Sequence, residues 1–297
     1  MMKKLGLLVM TLCLCAGLWA CAPHAAQGGS STESPAAVSI QSKGSDTIVN
    51  LALAWAEAYQ PNHPEVNLSV TGGGTGTGIT ALISGTTDIA NASRQIKAVE
   101  IEEARAKGVD PTETVIALDA IAIIINPNNP VTQLSLQQIS DIYAGKIDNW
   151  LDVGGEDRPI VRLSRETNSG THVYFLEKVL RLGDSKSTLL FDPRTLLLPS
   201  SEGITTEVRD NPNAIGYDGL GYVTPDVKVV AVSADGVSPA VFPSADTVNA
   251  GTYPISRELY VYTNGAPQGE VKKYLDWMLS PEGQAIVLSM GFVPVGE

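Results

Sequence analysis

Cysteine is nearly absent. Among 297 residues only Cys13, Cys15 and Cys21 carry a thiol, and none lies beyond position 21. That excludes a disulfide framework and a cysteine-based metal site in the body of the chain. Histidine is as sparse, at His24, His63 and His172, too scattered to form the cluster a metal would need. Positive charge is in deficit: 20 lysines and arginines face 32 acids, a formal charge of −12. Such a surface opposes non-specific binding to nucleic acid or to an anionic membrane. A local site can still take a small anion against the global field. No Gly-x-x-x-x-Gly-Lys-Ser/Thr run occurs, so there is no P-loop. What the chain does have is apolar content. It is 43% hydrophobic and 18% charged, enough to bury a core and unlike a disordered chain or a coiled coil.

The N-terminal segment stands apart from the rest. Lys3 and Lys4 precede an apolar stretch from Leu5 to Ala20. It is too short and interrupted for a membrane span and reads as a secretory signal. The stretch ends Leu18-Trp19-Ala20-Cys21, which resembles a bacterial lipobox, whose cysteine becomes the lipidated first residue of the mature protein. Trp19 is bulkier than the residue usual there, and ordinary cleavage near Ala20 or Ala22 is the alternative. Residues 1–20 are therefore expected to be a lipoprotein signal peptide, with Cys21 as the lipidation site. Residues 21–37, rich in Pro, Gly and Ser, follow as a flexible tether. Loss of two lysines leaves 18 bases against 32 acids, a charge of −14. The expected location is extracytoplasmic, with a membrane reached only through the lipid anchor.

From Val38 onward, short apolar runs alternate with helical stretches, and no repeat of fixed period appears. Strands are predicted at Val66–Val70, Ile89–Ala92, Ile160–Leu163, Val227–Val232 and Leu259–Tyr262. Val115–Asn126 is a nearly continuous apolar run, which suits a parallel strand buried on both faces. Helices are predicted over Thr47–Tyr59, after the capping box Ser135-Leu-Gln-Gln138, over Thr171–Leu182, and from Ser280-Pro281. The alternation argues for α/β architecture with mostly parallel sheets. One barrel and two doubly wound domains are equally compatible with the periodicity.

Three turns rich in hydroxyls and glycine immediately precede helices. They are Gly44-Ser45-Asp46-Thr47, Gly72-Gly73-Gly74-Thr75-Gly76-Thr77-Gly78 before a helix near Ile79–Ser84, and Asn168-Ser169-Gly170-Thr171. A helix start offers unpaired N–H groups and about half a positive charge. Glycine lets an anion approach the backbone, and Ser and Thr add donors. Each turn alone could equally be an ordinary cap. Two arginines, in Ser93-Arg94 and Ser164-Arg165, add weight to the anion reading, because both follow strands, where ligands bind in open α/β sheets. Guanidinium presents a planar fork that matches two oxygens of phosphate or carboxylate. Each could instead be a surface ion pair.

Rival motifs are weak. The glycine-rich loop lacks the third glycine of Gly-x-Gly-x-x-Gly in register. Ser169 and His172 lie close in sequence, but no Gly-x-Ser-x-Gly elbow surrounds Ser169. No catalytic residue, metal or cofactor is expected, and a phosphatase-type enzyme is the weakest alternative.

Taken together, these residues resemble the substrate-binding proteins of bacterial phosphate ABC importers. The anchors are the turn at 44–47, the loop at 72–78, Asp-Ile-Ala-Asn-Ala-Ser-Arg at 88–94, Ile-Tyr-Ala-Gly-Lys-Ile-Asp-Asn-Trp at 142–150 and Arg-Glu-Thr-Asn-Ser-Gly-Thr at 165–171. Ile-Gly-Tyr at 215–217 and Ser-Pro-Glu-Gly-Gln at 280–284 complete the set. The resemblance implies a two-lobed periplasmic-binding-protein fold of type II, with two doubly wound, mostly parallel sheets and a hinge crossed twice. The crossings fall near 115–121 and Tyr253–Arg257. Lobe 1 would comprise 38–118 and 255–297, and lobe 2 would comprise 119–254. Carried over by position, Ser45, Asp46, Thr47, Thr75 and Arg94 would face inorganic phosphate from lobe 1. Arg165, Ser169, Gly170 and Thr171 would face it from lobe 2. Where some relatives carry a carboxylate that accepts the proton of hydrogen phosphate, this chain has Arg94. Asp46 is then the candidate acceptor, with helix N-cap as its other reading. The resemblance also implies permease subunits of an ABC importer as partners of a monomer. Other tetrahedral oxyanions (sulfate, molybdate, tungstate), or a tethered phosphate sensor or scavenger, are the alternatives.

Overall fold

The computed structural model describes residues 37–296. The signal segment, the tether and the lipidation expected at Cys21 lie outside the described residues. In chain order the elements are β1 (Val38–Gly44), α1 (Asp46–Tyr59), β2 (Val66–Thr71), α2 (Thr75–Ile83), β3 (Ile89–Ala92), α3 (Ala98–Ala106) and β4 (Pro111–Ile125). Then come β5 (Gln133–Ser135), α4 (Leu136–Tyr143), β6 (Val161–Arg165), α5 (Gly170–Phe175), β7 (Leu196–Leu198), α6 (Ser201–Asp210), β8 (Ala214–Gly219) and β9 (Lys228–Ser233). The chain closes with α7 (Ala245–Asn249), β10 (Ser256–Asn264), α8 (Gly269–Met278) and α9 (Pro281–Ser289).

Local chemistry explains the helix boundaries. Ser135 Oγ accepts the Gln138 N–H at 3.1 Å while Gln138 Oε1 accepts the Ser135 N–H at 2.9 Å, completing the capping box of α4. Gly145, at φ 76°, supplies the left-handed residue that ends it. Helix α1 starts at Asp46, so Ser45 is the N-cap and Asp46 already lies in the first turn. Helix α2 starts at Thr75 rather than near Ile79, with Gly74 as N-cap at φ 90°. Gly78 thus lies within the helix, where a Cβ would come to 2.5 Å from the Lys43 carbonyl oxygen and 2.7 Å from the Gly44 Cα. Its absence lets α2 rest directly on the end of β1. The helix predicted over Thr171–Leu182 is α5 continued by a π-helical turn, Leu176–Leu180.

The strands lie in the order β2-β1-β3-β10-β4-β8-β6-β7, with β9 paired to β4 and β5. Parallel pairing joins β1 to β2 and β3, and β6 to β7 and β8. The strand β4 differs from its sequence expectation in direction. It is buried as predicted, but it runs antiparallel to β10, β8 and β9. Continuous hydrophobicity reports burial on both faces and carries no information on a neighbour's direction. Pairing of β4 changes along its length: residues 111–120 pair with β10 and residues 121–125 with β8 and β9. It therefore belongs to both halves of the fold. Residues 253–255 lie beside it: the Ile121 N–H donates to the Ile255 carbonyl at 2.8 Å and the Tyr253 hydroxyl to the Ile121 carbonyl at 2.7 Å.

Each half has one large apolar core and a smaller cluster beside it. One large core gathers Ile40, Ile48, Leu51, Trp55, Leu259, Val261 and Phe292, and the other Ile123, Ile139, Tyr143, Trp150, Phe175, Tyr217 and Val232. Burying each such aliphatic side chain contributes about 1.5–3 kcal/mol. These two cores fix the strand ends and helix starts that face one another between the halves.

Candidate functional site

All three hydroxyl-rich turns converge. Ser45, the N-cap of α1, does not cap with its side chain; its hydroxyl donates to Ser93 Oγ at 2.9 Å. Thr75 Oγ1, at the first residue of α2, lies 3.3 Å from Ser93 Oγ and accepts the Ser93 N–H at 3.1 Å. From the opposite half, Thr171 Oγ1 lies 2.8 Å from Thr47 Oγ1. Gly170 packs so closely that a Cβ there would fall 2.4 Å from Thr75 Oγ1 and 2.6 Å from Ser93 Oγ. Ser45, Thr47, Thr75, Ser93, Ser169, Gly170 and Thr171 are all buried. Ser169 caps α5, its Oγ accepting the Thr171 N–H at 3.2 Å. The backbones also join: the Gly76 N–H donates to the Asn168 carbonyl at 3.0 Å, and Asn168 Nδ2 donates to the Gly73 carbonyl at 3.0 Å.

The arginines occupy different positions. Arg94, at the end of β3, grips Glu100 of α3 with both Nη atoms, at 2.8 and 2.7 Å. Its guanidinium makes no hydrogen bond to the hydroxyl cluster, and burial leaves its Nε without a partner. Arg165, only 1% exposed, donates to Ser201 Oγ at 2.8 Å, to the Pro199 carbonyl at 2.8 Å and across the halves to Asp46 Oδ2 at 2.9 Å. Asp46 does not cap α1; its Oδ1 accepts the Gly73 N–H at 2.8 Å.

Reasoning from sequence missed several residues. Ser93, noted only as the neighbour of Arg94, sits at the centre of the hydroxyl cluster. Arg257, seen only as part of a crossing, reaches Thr171 Oγ1 at 3.0 Å and Thr47 Oγ1 at 3.4 Å. Its partner Asp119 is wholly buried and accepts from Arg257 Nε at 3.1 Å and Nη2 at 2.8 Å. A charge inside each apolar crossing segment was the available signal, because buried charges must be paired. Desolvation raises the Asp119 carboxyl despite the adjacent Arg257. Asp218 is also buried; desolvation raises it to about 6, with Arg165 opposing. Its Oδ1 accepts from Ser201 Oγ at 2.8 Å and its Oδ2 has no partner. His172 bonds to Ser164 Oγ at 3.1 Å rather than to Ser169, and burial lowers its ring. Among the described residues no group of three or more His, Cys, Asp or Glu could hold a metal ion.

The arrangement offers rotatable hydroxyls, helix-start N–H groups and one guanidinium, from both halves, around one point. Such a set suits reversible capture of a small oxyanion. Residues 29–282 match the model for a PBP superfamily domain. The phosphate-binding protein PstS of Pseudomonas aeruginosa is 34% identical over 273 residues, covering 86% of this chain and 83% of that protein. The PstS of Bacillus subtilis is 33% identical, covering 89% of this chain and 83% of that protein. The structure of a putative phosphate ABC transporter substrate-binding protein with bound phosphate, from Clostridium perfringens, aligns at a TM-score of 0.77 and 34% identity, covering 87% of this chain and all of that one (100%). An ABC-type phosphate transport receptor from Vibrio cholerae aligns at 0.67 and 30% identity, covering 86% of this chain and 99% of that one.

Proposed function

This chain belongs to the PBP superfamily and, within it, to the PstS phosphate-binding proteins, and from that premise we propose that it captures inorganic phosphate between its halves, outside the cytoplasm, and delivers it to an ABC importer. The observation that supports this most strongly is that Ser45, Thr75 and Ser93 share hydrogen bonds where Thr47 meets Thr171 at 2.8 Å and Gly170 packs against Thr75 and Ser93. We assign phosphate to those groups, with the first-turn N–H groups of α1, α2 and α5. The lobes are read as 38–118 with 255–297, and 119–254; the two large cores follow this division except that Ile255 and Val293 pack into the second lobe's core and Tyr222 into the first's. The chain acts as a monomer, lipid-anchored through Cys21, and its role is binding without turnover.

Hydrogen bonds to a charged group contribute roughly 1.5–3 kcal/mol each. Micromolar affinity requires about 8 kcal/mol net. Six to eight donors meet that after the cost of ordering and closing. The charge of −14 left after loss of the signal lysines does not prevent binding, because salt screens distant charges beyond about 8 Å. Closure about the paired crossings changes the shape presented to a permease. Calorimetric titration with phosphate, sulfate and molybdate at two pH values tests the reading. Saturable phosphate binding that sulfate does not displace supports it; preference for sulfate or molybdate replaces phosphate with that anion, and hydrolysis of a phosphate ester would put an enzyme in its place.

A further inference from the structure

Three arginines lie near the hydroxyl cluster, and each is matched by one carboxylate: Arg94 by Glu100, Arg165 by Asp46, Arg257 by Asp119. They differ in what else they touch. Arg94 turns to α3, and the remaining bonds of Arg165 go to Ser201 and to the carbonyls of Pro199 and Leu198. Arg257 alone of the three bonds to the cluster's own hydroxyls, and it does so from both halves at once, through Thr47 and Thr171. A third bond, from Nη1 to the Ser93 carbonyl at 2.9 Å, ties it to the cluster's central residue.

Arg257 is supported from several sides. Arg257 and Asp119 are direct cross-strand partners on β10 and β4, the strands that carry the chain between the halves. Their side chains are 2% and 0% exposed. The second Asp119 oxygen accepts the Leu220 N–H at 3.2 Å, which anchors the carboxylate to the other half. The Tyr174 ring lies 5.6 Å from the guanidinium carbon and covers it, and the Tyr174 hydroxyl donates to the Ser256 carbonyl at 2.6 Å. A guanidinium held at Nε and Nη2 by a carboxylate, and at Nη1 by a carbonyl, keeps a fixed orientation while Nη2 faces hydroxyl oxygens that an anion's oxygens would replace.

We propose that Arg257, held in place by Asp119, is the guanidinium that contacts the bound oxyanion, and that Asp119 is its positioning residue. This rests on the capture of an oxyanion proposed above and adds the group that bears the cationic charge. The pair brings no net charge to the site, so its contribution is a directed bond from a fixed donor rather than long-range attraction.

The double variant Arg257→Gln/Asp119→Asn removes both charges together. It strands no buried ion and leaves the net charge unchanged. Phosphate is titrated calorimetrically into the full folded chain, wild type and double variant, beside the surface control Arg209→Gln. The expected result is a rise in Kd of roughly a hundredfold in the double variant, the loss of a charged bond, with the control within about threefold of wild type. A double variant that melts cooperatively and binds within about threefold of wild type overturns the assignment. Side-chain nitrogen NMR of labelled arginine gives a second readout. Saturating phosphate should shift the Arg257 Nη signals, and Asp119→Asn should collapse their slow rotation while Kd rises roughly tenfold. Arg257 signals that stay still under saturation overturn the proposal even if the double variant fails to fold. Should wild type ignore phosphate but bind sulfate or molybdate, the phosphate reading falls and the same comparison is made with that anion. A wild-type chain that binds none of the three overturns both.

Discussion

Asp46 and Arg165 are 119 positions apart in sequence, yet the carboxylate of one accepts a hydrogen bond from the guanidinium of the other at 2.9 Å. The contact joins the start of α1 to the end of β6, and so one half of the fold to the other. Tyr222 adds to it, its hydroxyl donating to the Asp46 carbonyl at 2.6 Å. Arg165 is nearly sealed from solvent and Asp46 is 16% exposed, so the pair is screened far less than a surface ion pair. It acts as a clasp at the edge of the hydroxyl cluster.

Replacing Arg165 by Ala should therefore weaken phosphate binding roughly a hundredfold. The bonds to Ser201, Pro199 and Asp46 go together, and the arrangement in which both halves meet loses one of its buried cations. Circular dichroism should show an intact fold, because neither apolar core includes Arg165. Calorimetry that returned wild-type affinity for the folded variant would separate the clasp from binding.

Asp46→Asn is expected to weaken phosphate and sulfate by similar factors, roughly tenfold. Each carboxylate oxygen accepts one bond, from Gly73 and from Arg165, and these tie the side chain to the glycine-rich loop and to the opposite half rather than to the hydroxyl cluster. An amide here would set a donor against the Arg165 donors whichever anion is present. A selective gain for sulfate in competition titrations would return Asp46 to the role of proton acceptor.

Gly170→Ala should lower affinity at least tenfold, through space rather than backbone strain. Its Cβ would come to 2.4 Å from Thr75 Oγ1 and 2.6 Å from Ser93 Oγ, which forces the halves apart where they should close. Small-angle scattering should report a larger radius in the presence of phosphate than for wild type. Equal radii and equal Kd would show that the neighbouring side chains yield.

Asp218→Asn should make stability less dependent on pH. The Asp218 carboxyl titrates near 6 in the folded chain because burial disfavours its charge, against about 3.9 unfolded. Between those values the folded state holds a proton that the unfolded state has lost. Stability therefore falls as pH rises through that window and stays at the lower level above it. Asn keeps the acceptor that Ser201 and Gly219 use and places an amide at the unpartnered oxygen. Urea midpoints at pH 4.5 and 7.5 should diverge more in wild type than in the variant; identical pH dependence in the two would show that Asp218 is not the titrating group.

Much of the local structure was legible because its causes are local. The Ser135–Gln138 capping box, the Ser280-Pro281 helix start and the left-handed Gly145 each depend on a few neighbouring residues. The three hydroxyl-rich turns were legible for the same reason. The start of α2 was read four residues late because glycines look like loop, while Gly76 and Gly78 lie inside the helix for reasons of contact with Asn168 and β1. Strand direction escaped, since the Val115–Asn126 run has the same apolar content whichever way its neighbours run.

Composition and spacing were enough to determine an α/β chain with no cysteine framework and a set of donor-rich helix starts, because propensity, capping and hydrophobic period act over a few residues; the family pattern came from the resemblance of the motifs. Tertiary structure alone decided which cation faces the hydroxyls. Arg94, Arg165 and Arg257 are chemically identical and each meets one carboxylate, 6, 119 or 138 residues away along the chain; what distinguishes them is that only Arg257 also reaches the hydroxyls of Thr47 and Thr171. Contacts of that kind are settled only when the chain has folded, since a buried charge takes the partner that the fold brings within reach.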